Sequence, residues 1–406
     1  MKSALRIGPV VTPVLVITAA VFLMAGDLHS VEPTALTVHE WGTFTSVAGE
    51  DGSAIDWDVL GCKDDLPGFV NHFGGFSGFK WRLTGTVRME TPVMYFYSSR
   101  ELDAHVKVAF PEGLITEWYP RATYAIYQKS SVNGSLRRLD ANLNGIDTSL
   151  KSLTGGIEWR NIKVQPDTAP LLPFESGPSR YYAARGTDAA PITVDDQHEK
   201  FLFYRGVGRF PVPVSARISD NGEIVIENRG HDRVPAVILF ENRGGRLGYR
   251  SAGALEDVIT LASPALVGSY SRLQYDLETA LVAQGLFPKE AQAMVETWRD
   301  SWFEEGSRLI YIVPSRTVNA ILPLKVEPAP SEMTRVFVGR IELITPATKS
   351  SVEEAIAKRD WPTIDLYGRF LDPILKRISS EDSRKANQIE QFRRNRLVPI
   401  AAGQCR

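Results

Sequence analysis

His39, Glu40 and Trp41 set an imidazole, a carboxylate and an indole side by side. Imidazole exchanges protons near neutral pH and is a common metal ligand, so a histidine next to a glutamate is the first place to look for acid–base chemistry. The surrounding residues, LTVHEWGTFTSV, read as a strand, and successive strand residues point to opposite faces. His39 and Trp41 therefore share one face while Glu40 takes the other, so adjacency alone does not make the acid and the imidazole converge. The zinc-protease helix carries a second histidine one turn on, and none follows here. The plain alternative to a site role is a core histidine, packed inward with Trp41 and hydrogen bonded through its ring.

A second histidine, His72, lies in PGFVNHFGGFSGFKW, residues 67–81, where four glycines alternate with Phe69, Phe73, Phe76, Phe79 and Trp81. Glycines beside aromatics let a loop press against something flat, and rings bury large areas at small entropic cost. A sugar face or a peptide would suit; the competing reading has the rings plugged into a core. The run Gly75-Phe76-Ser77-Gly78-Phe79 lacks the last glycine of a nucleophile elbow, which argues against a serine hydrolase. His39, Glu40, Trp41, His72, Phe73, Phe76 and Trp81 together form the expected contact surface.

Carboxylates gather at Glu50, Asp51, Asp56, Asp58, Asp64 and Asp65, which reads as a solvated acidic stretch. Asp140-Ala141-Asn142-Leu143-Asn144-Gly145 matches the first six positions of a calcium loop, making Asp140, Asn142 and Asn144 the metal candidates. Position twelve, which needs a bidentate glutamate, is Lys151, and the bland reading is an Asn-Gly turn between strands. Glu296, Asp300 and Glu304 fall one turn apart and read as the wet side of an amphipathic helix. No cofactor is expected from these patterns, with calcium or zinc as the only metals that the residues suggest.

The elements that must position these groups divide by period. From Thr34 to about Leu261, short alternating apolar runs are separated by turn signals such as Asn133-Gly134, Asp220-Asn221-Gly222 and Arg243-Gly244-Gly245, the pattern of antiparallel sandwiches. The two hairpins between residues 200 and 250 suggest an immunoglobulin-like or similar sandwich. After Ser263 the period turns helical, with one helix over Tyr270 to Gln284 and another starting at Pro288. Strands RLIYIVP and EMTRVFVGRIELITP follow, and then three helices within roughly Lys349 to Arg396. The expected fold is mostly β with an α+β carboxy-terminal part: antiparallel sandwiches followed by a helix-rich region. The expected segments are 1–30, 31–179 (β-rich), 180–262 (sandwich), 263–345 (α+β) and 346–406 (helices).

Lys2 and Arg6 precede a run from Gly8 to Gly26 without a charge, the layout of a secretory signal peptide or, if uncut, an inner-membrane anchor. This predicts a periplasmic or extracellular protein of the bacterial envelope. The formal charge of -2 argues against nucleic acid, which needs a strongly cationic face. Two cysteines, Cys62 and Cys405, could pair after export, but no Cys-x-x-Cys motif is present. Partners are expected to be another envelope protein or a glycan, with membrane contact only through the amino-terminal segment. The sequence names no reaction. It favours non-catalytic binding or scaffolding, with a glycan or peptide hydrolase, metal-assisted through His39 and His72, as the alternative.

Overall fold

The computed structural model describes residues 36–59, 66–73, 83–130, 133–139, 150–177 and 179–392. The leader, Cys62, Cys405, Phe76, Trp81 and the calcium-like Asp140, Asn142 and Asn144 lie outside the described residues. The chain is mostly β, with several antiparallel sheets and a helix-rich carboxy-terminal part, as the residue periods predict. Among the described residues no helix is long and apolar enough to cross a membrane.

A nine-stranded sheet runs in the order Arg246–Leu255, Val234–Arg243, Gly306–Val313, Glu332–Leu343, Leu36–Val47, Val87–Ser98, Leu202–Gly208, Gly113–Tyr119 and Asn71–His72. All neighbours are antiparallel except the middle pair. Leu36–Val47 lies parallel to Glu332–Leu343, with Thr37 opposite Glu332 and Val47 opposite Glu342. Segments 31–179, 180–262 and 263–345 thus all feed strands into one sheet, and Thr34–Arg406 forms one compact unit. The two middle strands are buried along most of their length, as a strand covered on both faces must be.

One face of this sheet meets a second sheet, whose path is Gln197–Glu199, Ile192–Val194, Leu153–Val164, Leu102–Phe110 and Leu324–Glu327. Phe44, Tyr204 and Phe337 pack there with Val106, Val108 and Trp159. The other face is covered by the helices Tyr270–Val282 and Pro288–Trp302, whose Leu273, Leu277, Met294, Trp298 and Trp302 meet Trp41, Val93, Tyr95 and Val338. Two glycines make the middle of the sheet possible. Gly42 sits under the Phe337 ring and Gly339 under Tyr311, where an added Cβ would come within 2.7 and 2.0 Å of ring atoms.

The predicted hairpins form but go to different sheets. Val214–Ile218 pairs with Ile224–Asn228 around Gly222, and Val258–Leu261 completes a three-stranded sheet. Val234–Arg243 pairs with Arg246–Leu255 at the rim of the nine-stranded sheet. The tail holds helices Pro346–Lys358, Trp361–Asp365, Leu371–Glu381 and Ser383–Phe392.

Candidate functional site

Period two correctly separates the first motif: His39 and Trp41 turn toward the helices and Glu40 toward the second sheet. His39 is fully buried, and its Nδ1 lies 2.8 Å from Glu290 Oε2. Glu290 occupies the third position of a helix that begins at Pro288, so its side chain can fold back to take a backbone N–H of the first turn. It accepts from Phe287 N at 2.8 Å and from the Tyr97 hydroxyl at 2.8 Å. A carboxylate with three donors is well satisfied without water. The Tyr97 hydroxyl is pushed well up by burial and by the Glu290 charge. Phe287 and Tyr97 flank the imidazole at ring-centre distances of 4.4 and 5.6 Å. This is an acid–imidazole pair, but one with neither rim nor solvent access, and it serves to anchor the start of a helix onto a strand.

Glu40, also fully buried, accepts from Tyr204 OH at 2.5 Å and Arg335 Nε at 2.6 Å. Arg335 in turn donates through Nη1 to Asn319 Oδ1 and to the Leu322 carbonyl, both at 2.8 Å, tying the Ser315–Ile321 helix to the sheet. A longer ionic belt lies on the helix side. Arg308 reaches Glu342 at 3.1 Å, Arg340 reaches Glu304 at 2.5 Å, and Arg369 reaches Glu90 at 2.9 Å and Ser301 Oγ at 2.6 Å. Burial raises the Glu90 carboxyl, but the charges of Arg369, Arg88 and Arg340 outweigh it and hold it at about 2. Burial, with Arg308 and Arg369 alongside, brings Arg340 down to about 10. Glu304 therefore does not lie on the wet helix face expected for it: the helix ends at Trp302, and the chain beyond turns Glu304 in toward the arginines.

The aromatic loop enters the structure by its first residues. Phe69 meets Tyr119 and Tyr181 edge-on at 4.9 and 5.5 Å, and Phe73 is buried against Tyr124. His72, with a third of its side chain exposed, stands 3.9 Å from the buried Glu117. Gly68 N donates to Glu175 Oε2 at 2.8 Å, which links this loop to the strap 165–177. That strap has no helix or strand, yet it is pinned: Gln165 N donates to Pro191 O at 2.9 Å, Arg185 Nη2 to Pro173 O at 2.7 Å, and Glu175 N to Tyr182 OH at 2.9 Å. Arg185 is itself held by the buried Glu199 at 2.7 Å. On the strap, Leu171 is 93% and Phe174 70% exposed, with Phe174 resting against Tyr182 at 5.0 Å.

The structure corrects the expected contact surface. His39, Glu40, Trp41 and Phe73 face the interior, because a strand in mid-sheet is covered on both sides and Phe73 fills the space beside Tyr124. His72 alone of the described candidates keeps solvent access, and it does not share a carboxylate with His39. Among the described residues no group of three or more His, Cys, Asp or Glu side chains converges as a metal-binding set. Sequence reading missed the strap, although three prolines in PDTAPLLPF, with two leucines and a phenylalanine, are a signal of extended chain presenting apolar side chains.

No family model and no curated relative matches this chain. Among solved structures it is similar to the Fcho1 Mu homology domain of Danio rerio with bound Eps15 peptide, at a TM-score of 0.28 and 7% identity, over 77% of this chain and 97% of that one.

Proposed function

We propose that the protein is exported to the bacterial envelope and acts there by binding, as a non-catalytic partner or scaffold, through the strap 165–177 and the adjoining loop 66–70. The observation that carries this reading is the 93% and 70% exposure of Leu171 and Phe174 on a pinned segment. A backbone that is already held loses little freedom when its side chains are covered, which lowers the entropic cost of contact. The partner is another envelope protein rather than a glycan, because an aliphatic tip fits an apolar protein pocket, whereas a sugar face seeks flat rings. Export rests on Lys2, Arg6 and the uncharged run from Gly8 to Gly26. The hydrolase alternative loses its main support with His39 sealed against Glu290.

A photo-crosslinking amino acid placed at Leu171 or Phe174 in intact cells tests the binding reading. A discrete crosslinked species is expected at both positions, and none at Val267, which is just as exposed at 89%. No species, or the same species from Val267, removes the strap as a contact surface. Fractionation tests export separately: the chain should appear outside the cytoplasm, and its accumulation in the cytosol at full length would end that part of the reading.

A further inference from the structure

At the end of the nine-stranded sheet where Glu332–Leu343 begins, a cavity of about 430 Å³ is lined by Asp232, Arg233, Gln284, Ser315, Arg316 and Arg335. Its lining brings together three guanidiniums and one carboxylate, while Arg335 and Arg233 also have carboxylate partners outside the lining, Glu40 and Glu256. Arg335 is the buried one: its Nε goes to Glu40 and its Nη1 to Asn319 and Leu322, while its Nη2 is buried without a hydrogen-bond partner. Polar atoms in protein interiors are normally paired, so an orphaned guanidinium nitrogen beside a cavity asks for an oxygen that the described chain does not provide. The other two are held loosely. Arg316, 86% exposed, lies 3.6 Å from Asp232, and Arg233 pairs with Glu256 at 2.6 Å with both side chains more than half exposed. Exposed pairs of this type contribute little, and their arginines are available to a better acceptor.

We propose that this cavity binds a phosphoryl group, held by Arg233, Arg316 and Arg335 with Gln284 and Ser315 as neutral donors. A planar carboxylate is satisfied by one two-pronged guanidinium. A tetrahedral dianion presents oxygens in several directions and makes use of all three. The same chemistry is offered by free phosphate and by the headgroup of an anionic phospholipid. The site shares no residue with the strap, so it stands or falls independently of the proposed partner.

The test is calorimetric titration of the full chain with inorganic phosphate, alongside flotation with phosphatidylglycerol vesicles. Arg233→Ala and Arg316→Ala change exposed side chains and should leave the circular dichroism spectrum unaltered. Saturable phosphate binding that weakens tenfold or more in each variant, but is retained in Arg250→Ala on the exposed rim strand, supports the site with free phosphate as its ligand. Vesicle binding that is lost in the same two variants, without binding of free phosphate, supports it with the headgroup as the source. Absence of both, or equal weakening in Arg250→Ala, overturns it.

Discussion

Glu290 is the residue on which the His39 anchor depends. Replacing it with alanine removes the acceptor from His39 Nδ1, which is fully buried, and from the half-buried Tyr97 OH and Phe287 N as well. A cost of about 3–5 kcal/mol is expected in urea unfolding, against roughly 1–2 for Glu290→Gln, which keeps one oxygen. Equal small effects of both changes would show the cluster to be dispensable. Glu90 makes a different prediction, about pH. Its carboxyl falls from an ordinary 4.5 to about 2 in the folded chain, so its contribution is complete above the unfolded value and is lost as pH drops from about 4.5 toward 2. Glu90→Gln should flatten stability across that window, and an unchanged acid limb would refute the assignment. Of these residues the sequence disclosed only which way they point. His39 and Glu40 separate by strand period, but their partners Glu290 and Arg335 lie 251 and 295 positions away, and no local pattern announces a pairing at that distance.

At the scale of elements, hairpins and helices were readable because their signals are local. Asn221-Gly222 sits at the turn predicted for it, with Gly222 at φ +83°, and Pro288 opens its helix. The sheet to which each hairpin belongs was not readable, since that depends on which apolar faces meet. The short turn Gly368–Phe370 shows how one such meeting is secured. Arg369 reaches back to Glu90 and Ser301, while Phe370 stacks on Trp57 at 5.6 Å and lies under Arg340 at 4.7 Å. Arg369→Ala leaves buried Glu90 short of a cation, so the helices from Pro346 to Phe392 should detach more often than the sheet opens. Hydrogen exchange should rise there by tenfold or more with little change in Val87–Ser98; a uniform rise would mean that no separate unit exists. Gly339→Ala, which would drive a Cβ into Tyr311, should cost about 3 kcal/mol or more by thermal unfolding, and a neutral result would show that the ring can move aside.

For the molecule as a whole, the decisive feature is the parallel pairing of Leu36–Val47 with Glu332–Leu343. Period alone suggests a break near residues 262–268, where alternation gives way to helix, and a front half ending there has every mark of a self-sufficient sandwich. In the fold that front half lacks the neighbour of its first strand along eleven paired positions, from Thr37 opposite Glu332 to Val47 opposite Glu342. It also lacks the helix that covers Trp41 and Tyr95, and the guanidinium that neutralises Glu40. A fragment of residues 34–262 would therefore expose an unpaired, apolar strand edge, a template for aggregation, and would carry Glu40 as a buried carboxylate without its arginine. The fragment should be insoluble or lack a cooperative thermal transition, whereas the chain from 34 to 392 should unfold in one main transition. A soluble 34–262 fragment melting cooperatively would show that the period change is a true boundary and that the carboxy-terminal strands only dock onto a finished front.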